Sequence, residues 1–310
     1  MEKKKVVVFG SFVTDLTTCC PKFPQEGETV KGDFFKTGPG GKGSNQAVAA
    51  HRAGADVTLI TKLGIDTFGE QAEAFYQKEK MCMEGILKDK EISTGAALIM
   101  VNSETMQNEI VVIPGACGNI TEEDLTRVLP IINPGDVVLT QLETNYDATL
   151  KVLQYSKAKG CTTILNPAPA VPLDDEILSC VDIITPNETE ASVLTGKSAS
   201  NELEDIRGMA KELKAKGISH VIITRGSEGS YLLDDDEYIC PSMHLGDVVD
   251  TTGAGDAYNG ALAAGLSFGY DVREAMVFAT VVSGLAVTKF GTAPAMPFAE
   301  EINKEFSIRR

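Results

Sequence analysis

Short apolar runs recur along the chain at Val6–Phe9, Val57–Thr61, Val137–Gln141, Thr162–Leu165, Ile183–Thr185 and Val221–Thr224, without the polar alternation of a half-exposed strand. Between them the apolar positions fall at helical spacing, at about Lys42–Ala53, Thr67–Gln77, Tyr146–Ala158, Glu188–Leu194 and Leu203–Ala215. Strands apolar on both faces and separated by helices predict an α/β fold, a three-layer sandwich around a central, mostly parallel sheet. Ligands of such sheets sit beyond the carboxyl ends of the strands, so the loops after these runs are where chemistry is expected.

Two regions depart from that rhythm. Glu28–Gly38 alternates imperfectly, as does Ala96–Val101 followed by Ile110–Ile113. These predict antiparallel, half-exposed strands inserted into the core, a small β-sheet lid built from about Phe12–Gly38 and Ser93–Ile113. After Gly253 the pattern turns helical, over Ala254–Ser267, then Val272–Thr288, then a short last helix from Phe298. No repeat or linker interrupts it, so residues 1–310 are expected to form one domain carrying the lid.

Composition narrows the function classes. Hydrophobic residues make up 43% of the 310 residues and charged ones 23%, ordinary for a globular enzyme. A net charge of −16 argues against nucleic acid or a membrane surface as partner. The basic opening Glu2–Lys5 is followed by an apolar run too short for a secretory signal, and a cytoplasmic setting is expected. Seven cysteines at unpatterned spacings and three scattered histidines match neither a disulfide framework nor a zinc site.

Candidate chemistry collects in glycine-rich segments. Asp250-Thr-Thr-Gly-Ala-Gly-Asp256 leads into a long helix. Its glycines let backbone approach a ligand, and the helix start offers free N–H groups and a positive dipole end, an anion hole for a transferring phosphoryl group. Asp256, at its edge, suits a base facing an incoming hydroxyl; a Gly-rich turn with an acidic first-turn residue is the plainer alternative. The glycines of Gly38-Pro-Gly-Gly-Lys42-Gly-Ser-Asn45-Gln46-Ala likewise precede a helix, and the ammonium and amide of this segment suit the hydroxyls of a polyol.

Pro186-Asn187-Glu-Thr-Glu190 reads as a capping box, with a second reading that sets Asn187 and Glu190 near Mg²⁺ and phosphates through water. Thr224-Arg-Gly226-Ser-Glu-Gly229 is a tight turn whose backbone is suited to flank a nucleotide. Glu143 ends a strand at the ligand-bearing edge, and Asn166-Pro-Ala-Pro-Ala170 reads as a rigid, architectural loop.

Taken together and in this order, these segments resemble the ribokinase family of carbohydrate kinases from Val6 to about Ile302, with Gly10-Ser11…Asp15 at the opening. The resemblance implies transfer of the γ-phosphoryl group of MgATP to the 5-hydroxyl of a pentose, D-ribose first. A 2-deoxyribose, fructose, tagatose or nucleoside acceptor and a non-catalytic sugar-binding regulator are the alternatives. It further implies Asp256 as base and the amides of Gly253, Ala254 and Gly255 as anion hole. Sugar would meet Asp15, Gly41, Lys42, Asn45, Glu143 and Asp256, and nucleotide would meet Asn187, Thr224, Gly226, Gly229, Gly255 and Thr280. A potassium ion beside the anion hole would be held by Asp250, Thr252, Ala286, Lys289 and Gly291. The exposed lid implies a homodimer paired lid to lid.

Two positions depart from the family pattern. Val13 stands where ribose-specific bacterial members commonly have Asn, so a sugar hydroxyl loses a partner there. Ala295 stands where a hydroxyl side chain often completes the cation site.

Overall fold

The computed structural model describes residues 4–105 and 107–309, so Glu2 and Lys3 of the basic opening and Met106 in the expected lid lie outside the described residues. The strands in chain order begin with β1 (Val6–Phe9), β2 (Val13–Cys20), β3 (Phe34–Gly40), β4 (Val57–Gly64) and β5 (Ile86–Asp89). Then come β6 (Thr94–Asn102), β7 (Asn108–Gly115), β8 (Val137–Thr140), β9 (Thr162–Leu165) and β10 (Ile183–Ile184). Last are β11 (His220–Thr224), β12 (Ser230–Leu233) and β13 (Glu237–Cys240). The first helices are α1 (Lys42–Arg52), α2 (Thr67–Glu79), α3 (Glu122–Val128), α4 (Tyr146–Ala158) and α5 (Asp175–Leu178). They are followed by α6 (Glu188–Thr195), α7 (Leu203–Ala215), α8 (Ala254–Ser267), α9 (Val272–Ala286) and α10 (Ala299–Arg309).

Among the described residues, nine strands form one sheet in the order β13-β12-β11-β10-β9-β8-β1-β4-β5. It is parallel from β5 across to β11, and the two strands at the other end run antiparallel. The uninterrupted apolar runs have a direct cause. Val6 and Val8 face the side covered by α1, α8 and α9, while Val7 and Phe9 face the side covered by α3 and α4. All four are fully buried, and each large apolar side chain so placed contributes roughly 1.5–3 kcal/mol. A polar residue at alternate positions would forfeit half of that.

The lid is a separate four-stranded sheet in the order β3-β2-β6-β7. Its outer pairs are antiparallel as expected, but the central pair, β2 with β6, is parallel. The reason lies in the main sheet: β1 and β5 run the same way there, and each leads into its lid strand within a few residues. A strand expected from Glu28 begins only at Phe34, because its partner β2 ends at Cys20 and Cys19 is already opposite Phe34. No described helix is long and apolar enough to cross a membrane.

Candidate active site

Helix α1 is preceded by the N-cap Gly41, whose φ of +87° and close approach to Phe12, Ser11 and Val13 backbone, 2.9 Å from any added Cβ, exclude other residues. No side chain at that cap satisfies the first amides of the helix. Glu143, just past β8, does so from across the sheet. Its carboxylate accepts from the Lys42 amide at 2.8 Å and from the Ser11 hydroxyl, while the Ser11 carbonyl accepts from the Ser44 amide at 2.8 Å. A negative charge is thereby held at the positive end of the helix dipole.

Asp256 lies in the first turn of α8 and is 8% exposed. Asn45 Nδ2 donates to its Oδ2 and Gln46 Nε2 to its Oδ1, each at 2.9 Å. Burial raises its carboxyl above the usual range, against the pull of Lys42 and of the two amides. Asp15 faces the same space from β2; burial, then Glu143 and Asp256, push its carboxyl up to about 7. The Lys42 ammonium is held above its ordinary value: burial opposes this, but Asp256, Glu143 and Glu190 outweigh it. One cation, several carboxylates and an amide thus converge at the carboxyl ends of the strands. Asn45 Oδ1 is buried and has no hydrogen-bond partner, an acceptor open to a ligand hydroxyl. Val13, two residues before Asp15 on the same face of β2, is buried, and its Cγ1 would lie 2.9 Å from a Cβ placed on Gly95.

The start of α8 is open. Gly253 takes φ +79°, and a Cβ on Gly255 would meet nothing within 4 Å. Of the three amides expected to bind an anion, that of Ala254 donates to the Thr251 carbonyl at 3.2 Å. Asn187 and Glu190 form the expected capping box at the start of α6, and burial raises the Glu190 carboxyl. Asn187 bridges to Thr224, whose amide donates to the Pro186 carbonyl at 2.9 Å, so the ends of β10 and β11 meet. Gly226 borders open space, whereas a Cβ on Gly229 would come 2.1 Å from the Cys240 carbonyl, so the hairpin itself requires that glycine. Thr280 is buried in α9, its hydroxyl donating to the Met276 carbonyl at 2.8 Å and lying 3.4 Å from Cys240 Sγ, the residue whose carbonyl packs against Gly229.

Asp250 fastens two loops at once, accepting from the Thr252 amide at 2.9 Å and the Gly291 amide at 3.0 Å. The Ala286 carbonyl accepts from the Lys289 amide at 3.1 Å, and the Lys289 ammonium turns to Glu301. The segment carrying Ala295 is held by Arg52, which donates to the carbonyls of Ala293, Pro294 and Met296 at 3.1, 3.2 and 2.8 Å. The residues expected around the cation offer only oxygen donors, the Asp250 carboxylate and backbone carbonyls, which is the chemistry a hard cation takes, and Ala295 adds no side-chain oxygen.

Sequence reasoning gave no individual role to Ser11, Gln46 or Asn259. Ser11 binds Glu143, Gln46 binds Asp256, and Asn259 Nδ2 donates to the Gly255 carbonyl at 2.9 Å. The available signal was position: Ser11 follows Gly10 at the first strand end, Gln46 follows Asn45 in the glycine-rich segment, and Asn259 lies one helical turn after Gly255.

Residues 3–299 match the pfkB family of carbohydrate kinases. The chain is 37% identical over 302 residues to a ribokinase of Staphylococcus aureus, covering 97% of this chain and 99% of that one. It is 34% identical over 305 residues to a deoxyribokinase of Salmonella typhimurium, covering 98% and 99%. A structure of Arabidopsis thaliana ribokinase complexed with ribose and ATP superposes with a TM-score of 0.90 at 29% identity, over 98% of each chain.

Proposed function

The chain belongs to the pfkB family of carbohydrate kinases, and from that premise we propose that it transfers the γ-phosphoryl group of MgATP to the 5-hydroxyl of D-ribose. The observation that carries this reading is the buried carboxylate of Asp256 at an open helix start, facing Lys42, Asn45, Asp15 and Glu143. Asp256 removes the hydroxyl proton as that oxygen bonds to the γ-phosphorus and the bond to the bridging oxygen of ADP breaks. The amides of Gly253 and Gly255 at the start of α8 receive the charge developing on the phosphoryl oxygens; Ala254 joins them on releasing Thr251.

The polyol set suits a neutral sugar. Asn45 Oδ1 accepts one hydroxyl, the carboxylates of Asp15 and Glu143 accept others, and Lys42 donates. Gly41 supplies the wall beneath them. Asn187, Thr224 and Gly226 line the nucleotide side, with Gly229 and Thr280 supporting it through packing. Bound Mg²⁺ would neutralise phosphate charge, with Glu190 reaching its water shell. Bound K⁺ would brace the loops at Thr252 and Gly291 through Asp250 and the carbonyls of Ala286 and Lys289.

Residues 1–310 act in this reading as one catalytic domain, with the lid over the sugar to exclude water, in a cytoplasmic setting where MgATP is supplied. The lid exposes Phe35, Leu98, Ile110, Val111 and Val112, apolar surface whose burial supports a lid-to-lid homodimer. Val111→Lys should then sediment as a monomer; a parent that is itself monomeric at micromolar concentration excludes the pairing.

A second reading is favoured by one observation, the apolar Val13 beside Asp15, which strands no polar group when a sugar lacks a hydroxyl. It makes 2-deoxyribose a competing substrate. ADP release measured against a panel of pentoses, hexoses and nucleosides decides between these, with the phosphorylated position read by ³¹P NMR. Turnover of no sugar in the panel would defeat both.

A further inference from the structure

Behind Asp256 runs a connected set of buried amides that the proposed chemistry does not use. Gln46 is fully buried, and both hydrogens of its Nε2 are committed: one to Asp256 Oδ1 and one to Asn166 Oδ1, each at 2.9 Å. Its Oε1 accepts from Gln141 Nε2 at 2.6 Å. The amide can point only one way, since a flip would turn its oxygen onto two other oxygens and strand the Gln141 donor. Asn166 continues the set, donating to the Thr185 carbonyl at 3.3 Å, and the Thr185 hydroxyl binds Asn259 of α8. The ends of β8, β9 and β10 are thereby tied to the starts of both α1 and α8. The rigid Asn166-Pro-Ala-Pro loop is the anchor of that tie.

Buried polar groups are costly unless every member is satisfied, and an apolar core would fill this space at no such cost. Their placement against one carboxylate gives them a use. We propose that Gln46 is a positioning residue for the phosphoryl transfer: its amide, locked by Asn166 and Gln141, fixes the plane and place of the Asp256 carboxylate without touching sugar or nucleotide. The proposal rests on the reading of Asp256 as base. Around Asp256, burial opposes the charged form most, Lys42 favours it, and Glu143, Asp15 and Glu190 oppose it. Gln46 and Asn45 are the uncharged donors that act on the side of the charge.

The test compares Gln46→Met, similar in volume but without a donor, with the parent enzyme. Expected are a fall in kcat of about 10- to 100-fold, KM for sugar and ATP within about threefold, and an acid limb of kcat displaced to higher pH. If the Met variant is not recovered folded, Gln46→Glu keeps the shape and sets a second carboxyl against Asp256. Its acid limb should move upward further. A kcat within about threefold of the parent overturns the proposal, and so does a lower kcat with the acid limb unmoved, which is the mark of a packing role. Asp256→Asn, assayed alongside, keeps the two readings apart. Full turnover in that variant removes the base itself, whereas loss there with none in Gln46→Met removes only Gln46.

Discussion

The Glu143 carboxylate and the backbone amide of Lys42 meet at 2.8 Å across 101 residues of sequence. One side chain therefore caps α1 and, in the proposed reading, also forms a wall of the sugar site. Removing it as Glu143→Ala should cost about 1 kcal/mol of stability, the usual loss of a helix cap. Glu143→Gln keeps an acceptor for the Lys42 amide and relieves repulsion of Asp15 and Asp256, so it should recover most of that loss. Urea titration of the two variants checks this. Equal losses would mean that α1 needs the charge and not the hydrogen bond.

Asp15 links stability to pH. Folded, it keeps its proton up to about pH 7; unfolded, it releases it near its ordinary value of 3.8. Between those values the folded state binds more protons, so the contribution is fully present below the lower pH and is lost as pH rises through about 7. Asp15→Asn should therefore be more stable than the parent at pH 8, by about 1–2 kcal/mol because water reaches this half-buried group. The advantage should close toward pH 4, while sugar KM rises for want of the carboxylate. Stability curves that stay parallel across that range would rule the linkage out.

How far these features could be read beforehand depended on the distance over which each is determined. Strands such as Val6–Phe9 announce themselves because burial on both faces is written into consecutive residues. The Asn187–Glu190 capping box is legible for the same reason, being closed within one turn. β2 was less visible: Thr14, Asp15, Thr17 and Thr18 give it no apolar run, since Asp15 to Cys19 are only partly buried in the small sheet. Its parallel pairing with β6 is set by where β1 and β5 lie in another sheet. Gln46 reads as an ordinary polar position on a helix. Only the approach of α8, β8 and β9 makes it a buried partner of Asp256.

In the proposed reading a potassium ion would act through Asp250, which holds the Thr252 and Gly291 loops by their amides. A cation among the neighbouring carbonyls would stiffen the loop that carries the amides of Gly253 and Gly255. Activity at fixed ionic strength should be higher in potassium than in tetramethylammonium buffer, and Asp250→Ala should weaken the response. Ala295 offers no side-chain oxygen, so Ala295→Ser should strengthen it. Equal parent rates in the two buffers would exclude a functional cation at this place.

Val13 provides the sharpest test of the acceptor. It is buried on the face of β2 that carries Asp15, packed on the bare backbone of Gly95. An apolar group at this point has no hydrogen-bonding atom to strand when the sugar's 2-hydroxyl is missing, whereas a polar site rejects a ligand that leaves its own groups unpaired. The parent should accordingly phosphorylate ribose and 2-deoxyribose with weak discrimination. Val13→Asn should move the ratio of kcat/KM toward ribose by about 1–2 kcal/mol, the worth of one hydrogen bond. The same amide, buried without a partner in the free enzyme, should lower the melting temperature, and ribose should restore it further than 2-deoxyribose does. A ratio unchanged by the substitution, with both sugars equally stabilising, would reduce Val13 to a packing residue against Gly95 and remove the structural reason for treating the two sugars as competitors.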